Sequence, residues 1–306
     1  MRHEPAKGRT RPVRVKGVAQ PPSVAPRSQR PRRDLATRVG FILVLIASVV
    51  AVVYPFYWMV MGSFAPEGSS IANAPLFFPE ALSIEAYISV FSERPMLRWI
   101  GNTLVVTVGT TLATLPLAVM AAYGVTRFRF AGRMTFILFV VLTQLLPASA
   151  LIVPLFVIFR TYSLLDSMLG LVVAYTTFTL PLAIWVLWGY LQSIPATFEE
   201  AAQVDGATRI GAFLRVTMPI ALPGIAATTL FIFLDAWNHY LLALVLTSTT
   251  DKWVVSLGLF SFIGEYTTAI EQMMAASVIT AIPALVLFAV LQRYLRGGLA
   301  LGGVKG

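Results

Sequence analysis

Six stretches of this chain are almost free of charge, and each is long enough to cross a lipid bilayer. Residues Val39–Pro66, Trp99–Thr126, Met134–Phe159, Ser167–Phe198 and Gln272–Gln292 contain no Asp, Glu, Lys, Arg or His. Val216–Thr250 is interrupted only by Asp235 and His239. A bilayer helix needs about 20 apolar residues. Only helices and closed barrels satisfy their backbone groups in hydrocarbon, and these runs are too long for barrel strands. The sequence therefore predicts an all-α polytopic membrane protein with six transmembrane helices, near 39–64, 101–126, 134–159, 169–191, 219–247 and 274–294. The composition agrees: 57% of the residues are hydrophobic and 12% charged, about half the charge of an average soluble domain.

The formal charge of +9 is confined to one place. Residues 1–38 hold eleven Lys and Arg against Glu4 and Asp34, and the remaining chain is neutral. A segment rich in Pro, Arg, Ser and Val cannot bury a core, so residues 1–38 are expected to form a basic disordered cytoplasmic tail, suited to acidic lipid headgroups. No aromatics are interleaved with its basic residues, which argues against nucleic acid. The apolar run behind it is too long for a cleaved signal of ~7–15 residues.

The short loops orient the helices. Arg127, Arg129, Arg133, Arg209, Arg215, Arg293, Arg296 and Lys305 fall on the side of the N-terminus, and Arg94, Arg98, Arg160 and Lys252 on the other. The positive-inside rule then places both termini in the cytoplasm. The outer loop 65–99 is expected to carry a short helix around Ile84–Phe91. Prolines 55, 116, 147, 154, 181 and 283 lie inside spans, where each can kink a helix or be tolerated.

The connection Gln192–Met218 is far longer than an antiparallel turn requires, and it is internally patterned. Pro195 stops the incoming helix. Thr197 followed by Glu200 reads as a capping box opening a short helix, with Glu199 and Glu200 at its positive end. Ala201 and Ala202 leave a face open to close approach, and Asp205-Gly206 signals a turn. Thr208–Arg215 can form a second short helix with Phe213 as its apolar contact, before Pro219 and Pro223 at the membrane return. Such a loop suggests a docking surface.

Glu200-Ala201-Ala202, Gly206, Val216 and Met218-Pro219 stand at the spacing of the EAA loop of binding-protein-dependent ABC transporter permeases, with Val216 and Met218 where that pattern has Ile and Leu. Asn102-Thr103-Leu104, Ala121-Ala122-Tyr123-Gly124, Arg127-Phe128-Arg129-Phe130, Ala236-Trp237-Asn238 and the end Gln292-Arg293-Tyr294 to Gly303-Val304-Lys305-Gly306 resemble the carbohydrate-uptake branch, in particular its MalG-like subunits. The resemblance covers 39–306. It implies the membrane permease subunit of an ATP-driven sugar importer in the cytoplasmic membrane of a bacterium or archaeon. The implied partners are a second, MalF-like permease, a dimer of ATP-binding subunits and an extracytoplasmic sugar-binding protein, with ATP and Mg held in the ATPase and no cofactor here. A permease for a non-sugar solute is the alternative.

Carried over residue by residue, Glu199, Glu200, Ala201, Ala202, Asp205, Gly206 and Pro219 would couple to the ATPase. Glu200 would face a basic ATPase residue, and Gly206 would be the pivot between the two short helices. Gly264, Glu265 and Tyr266 would touch the binding protein, and Lys305 the ATPase pair. Asp235 is a costly charge in mid-span. Its expected partner is His239 one turn on, with Trp237, Asn238 and Tyr240 nearby. These five residues fit either a sugar path or a polar contact between subunits.

Other functions find no support. None of the four lysines follows Gly, so there is no phosphate-binding Gly-Lys loop. The two histidines cannot form HExxH, no Gly-x-Ser-x-Gly elbow occurs, and the absence of cysteine removes thiolate chemistry. No enzyme is expected. An ion-gradient carrier would predict internal repeats and several intramembrane acids.

Overall fold

The computed structural model describes residues 33–66, 68, 81–264 and 269–302. Most of the basic tail, Glu265, Tyr266 and Lys305 lie outside the described residues. The long helices are α1 (Arg33–Ser63), α3 (Met96–Arg127), α6 (Met168–Gln192), α9 (Met218–Asn238) and α12 (Ile270–Gly302). Shorter ones are α2 (Glu85–Ser92), α4 (Arg133–Thr143), α5 (Ala148–Thr161), α7 (Thr197–Val204), α8 (Arg209–Ala212), α10 (Leu241–Leu246) and α11 (Val255–Phe260). The all-α class holds among the described residues. Five helices are long and apolar enough to span, and a sixth span exists if a bent pair counts as one. The short helix expected near 84–91 is α2.

The chain divides after Val52 into two units. In the first, every described side chain from Thr37 onward is exposed. In the second, α3, α6 and α9 form the centre. Ala118, Ala122, Ile184, Leu187, Ala221 and Ile232 close one end of the core. Leu171, Ala174, Tyr175, Leu242, Leu246 and Val254 close the other. Small residues permit the approach, as expected where lipid gives helices no hydrophobic reason to associate. A Cβ on Gly224 of α9 would stand 2.4 Å from the Tyr190 ring of α6. Hydroxyls of Thr114 and Thr179 meet at 3.1 Å between α3 and α6.

Two expectations are corrected. The window 134–159 is not one rod: α4 and α5 meet at 96°. Pro147, which caps α5 and cannot donate a ladder hydrogen bond, stands at that corner. The other five mid-span prolines are carried within helices. The fifth span does not run to 247. It stops at Asn238, and His239 adopts an extended conformation (φ −73°, ψ 98°) before α10. The sixth span falls where expected, at Ile270–Leu295, and its helix continues through Gly297 and Gly298 to Gly302.

Candidate coupling site

The segment between α6 and α9 folds as two short helices, as the sequence predicts, but its start is built differently. Thr197 is the first residue of α7, the cap position is Ala196, and no side chain caps the helix. The capping box is therefore absent, because Thr197 lies one position too late to reach the orphan amides. The end of α7 follows the sequence. Gly206 adopts φ +89°, its N–H donates to Gln203 O at 3.1 Å, and that of Ala207 donates to Ala202 O at 2.9 Å. This is the Schellman closure that favours glycine. Thr208 then caps α8, its hydroxyl accepting from Gly211 N at 3.0 Å. A five-residue π turn, Phe213–Thr217, joins α8 to α9, with Pro219 in the first turn of α9.

The two adjacent acids go to opposite sides. Consecutive helix residues are about 100° apart, so Glu199 and Glu200 cannot share a face. Glu200, Ala201, Val204, Asp205 and Gly206 are exposed, as are Ile210 and Leu214 on the second helix and π turn. Ala202 is half-buried. Glu199, by contrast, is buried and points into the bundle, so it does not share the exposed face of Glu200, with which the sequence grouped it for coupling. Its Oε1 accepts from Arg127 Nε at 2.7 Å and from the Thr217 hydroxyl at 2.5 Å; its Oε2 accepts from the Tyr123 hydroxyl at 2.9 Å. Arg127 Nη2 donates to Ile194 O at 3.0 Å. The Tyr123 ring packs on Phe213 at 4.3 Å. Burial alone would raise the Glu199 carboxyl, but hydrogen bonds from Thr217, Arg127 and Tyr123 and the Arg127 charge outweigh it and hold the group below the usual glutamate range.

Sequence reasoning passed over Arg127, Tyr123 and Thr217 as site residues. The 100° offset between Glu199 and Glu200 was the available signal that one acid needed an internal cation.

The other candidate residues do not converge. Trp237 is buried, donates from Nε1 to Thr280 O at 3.2 Å and stacks on Phe233 at 5.5 Å. Trp237 and exposed Asn238 line a cleft of about 420 Å³ between α9 and α12, together with Leu234, Ser277, Thr280 and Phe288. The His239 ring lies 4.9 Å from that of Tyr175, whose hydroxyl donates to His239 O at 2.8 Å. Tyr240 packs on Phe260. No ion pair or hydrogen bond joins Asp235 to His239 among the described residues: the i,i+4 pairing needs helix at both positions, and the helix has ended at 238. Gly264 is exposed.

At the opposite end, a residue the sequence did not single out ties two loops together. Asp166, at φ +51°, accepts from Ser248 N at 3.0 Å, Thr249 N at 3.1 Å and the Thr249 hydroxyl at 2.8 Å. Slight burial would raise its carboxyl, but these bonds and nearby Lys252 hold it low. Arg98 pairs with Asp251 beside it.

Comparison with known proteins now decides the family. Residues 114–299 match the family model described as binding-protein-dependent transport system inner membrane component. The chain belongs to that family. Among its relatives is the diacetylchitobiose uptake system permease protein DasC of Streptomyces coelicolor, 34% identical over 90% of this chain and 100% of that protein. The trehalose/maltose transport system permease protein MalG of Thermococcus litoralis is 30% identical over 90% of this chain and 99% of that one. A crystal structure of a bacterial ABC transporter involved in import of the acidic polysaccharide alginate is 25% identical, with a TM-score of 0.71, covering 86% of this chain and 98% of the other. This inner-membrane component is thus a multi-pass permease of the cytoplasmic membrane.

Proposed function

We infer that the chain is the transmembrane permease subunit of an ATP-driven sugar importer, coupling ATP hydrolysis in a partner subunit to alternating access. The observation that carries this is the outer face of 197–214. It exposes Glu200 and Ala201 beside large apolar side chains, with Val204 87% and Ile210 72% exposed, on a segment fastened from beneath to the spans. An exposed apolar patch rimmed by charge is what a docked protein covers. Curated relatives named for diacetylchitobiose and for trehalose and maltose support a sugar as the solute.

In this reading the 192–218 loop faces the cytoplasm, with Glu200 as the acid presented to the ATPase dimer and Gly206 as the joint between the docking helices. A second, MalF-like permease and an extracytoplasmic sugar-binding protein complete the importer, and ATP and Mg reside in the ATPase. A binding protein appears in one solved complex of the same fold, a bacterial alginate ABC transporter with its periplasmic protein. The solute path is assigned to the region of Asp235 and the cleft at Asn238.

Glu200→Lys tests the assignment. Uptake of labelled sugar should be lost while the protein still inserts, with the ATPase no longer driving transport. Normal transport would overturn the docking role. Asp235→Asn should lower uptake with assembly intact. If assembly fails instead, Asp235 is a subunit contact, and if neither changes, it is neither.

A further inference from the structure

The buried carboxylate of Glu199 is used by nothing in the docking reading, yet it is the most heavily bonded side chain of the loop. Its partners come from three places: the end of α3 (Tyr123, Arg127), the backbone before α7 through Arg127 to Ile194, and the π turn leading into α9 (Thr217). The side chains of Arg127 and Glu199 are only 11% and 6% exposed. Helix α7 has eight residues, too few to hold itself in place by its own turns, and much of its surface faces outward. The route from the loop into α9 runs through a π turn, Phe213–Thr217, a form that occurs mostly as single turns at functional sites. A buried ion pair adds little stability over an apolar contact of the same size, but it fixes direction. Three donors on two carboxylate oxygens set the position of α7 in a way that apolar packing would not.

We propose that Glu199 is a positioning residue. It locks the docking helix α7 to the ends of the second and fifth spans, so that a push delivered to the exposed face moves α3 and α9 with α7 as one lever. The proposal rests on the importer reading for the origin of the push, but the lock itself is a property of this chain. Glu200 and Glu199 thus divide the work: the outer acid grips and the inner acid transmits.

The chain has no cysteine, so spin labels can be placed without background. Labels are introduced at Thr197 and Arg129, both exposed and neither in the set proposed to meet the ATPase, in the assembled transporter in lipid nanodiscs. In the parent, the distance between them should be narrow and the same with and without trapped nucleotide. In Glu199→Gln the distribution should broaden and shift with nucleotide. Solute moved per ATP should fall about tenfold, within the usual range of coupling between sites, while the ATPase subunit still co-purifies. A distribution as narrow as the parent's with unchanged coupling overturns the proposal. Loss of the ATPase subunit to the extent seen in Glu200→Lys also overturns it, by making Glu199 a gripping group. Should the single variant fail to accumulate, E199Q/R127Q leaves no unpaired charge and is held to the same outcomes. The nucleotide-free distance needs no partner. Its failure is therefore separable from failure of the importer reading, which would show as no ATPase in the parent complex.

Discussion

At the 192–218 end of the bundle, Glu199 is engaged by three donors and its cation, Arg127, by a further carbonyl. In the middle of the bundle some polar groups are left in the opposite state. The hydroxyls of Thr107, Thr110 and Thr176 and Nε2 of His239 are buried with no partner among the described residues. Thr103, Thr111, Thr126 and Thr228 show the usual solution, donating to the carbonyl four residues back. The first region is closed and directional, and has one satisfied arrangement. The second retains hydrogen-bonding capacity that its own packing does not use, so alternative helix positions there forfeit little. Under the lever proposal, this is the division a transporter needs: a rigid handle beside a centre free to rearrange.

The largest expected effect breaks the closed region. Arg127→Gln leaves the Glu199 charge buried without its cation and should destabilise the fold by about 3–5 kcal/mol, read by denaturant unfolding in detergent. The double variant E199Q/R127Q should recover most of that loss, and a failure to recover would mean the two side chains are not a unit. Thr217→Val removes a hydroxyl bonded to a charged acceptor and should cost about 1.5–3 kcal/mol in the same assay.

Acid should act on the same node. The folded Glu199 carboxyl lies below its ordinary value of 4.5. Its contribution is therefore present above that value and is lost as pH falls through the lower, folded one. The unfolding midpoint of the parent should drop over that window, and in Glu199→Gln this part of the acid limb should be missing. Smallest is the change in the open region. Thr107→Val deletes an unpartnered hydroxyl at constant shape and should be neutral or slightly stabilising. A loss comparable to that of Thr217→Val would show that the Thr107 hydroxyl is engaged after all.

The sequence made five of the six spans and the paired short helices of the loop legible, because charge-free windows and turn residues act locally. Gly206 announced its own left-handed backbone. What stayed hidden depends on residues brought together from far apart. Nothing in the spacing of Arg127, Glu199 and Thr217 says that they meet, since that follows from how α3, α7 and α9 pack. Asp235 and His239 are electrostatic neighbours but form no hydrogen bond or ion pair, for a related reason. The four-residue spacing was read as helix, while the backbone leaves the helix at Asn238, where His239 O is held by Tyr175 and Ser256. The windows likewise could not distinguish a rod from a corner, because hydropathy records length and not direction.

That corner between α4 and α5 has a further meaning for how the subunit lives in its bilayer. Limbs of 11 and 14 residues reach roughly 16 and 21 Å, each short of the ~30 Å of oil. Lipid tails offer nothing to the peptide groups of a bend, so one with open N–H groups would need water or polypeptide beside it; the N–H groups of Gln144, Leu145 and Leu146 donate back to Val141, Leu142 and Thr143 O. Here the bend instead presents Leu145, 73% exposed, and Leu146, 56% exposed. A corner that closes its own N–H groups and turns leucine outward can face hydrocarbon without a wet cavity behind it.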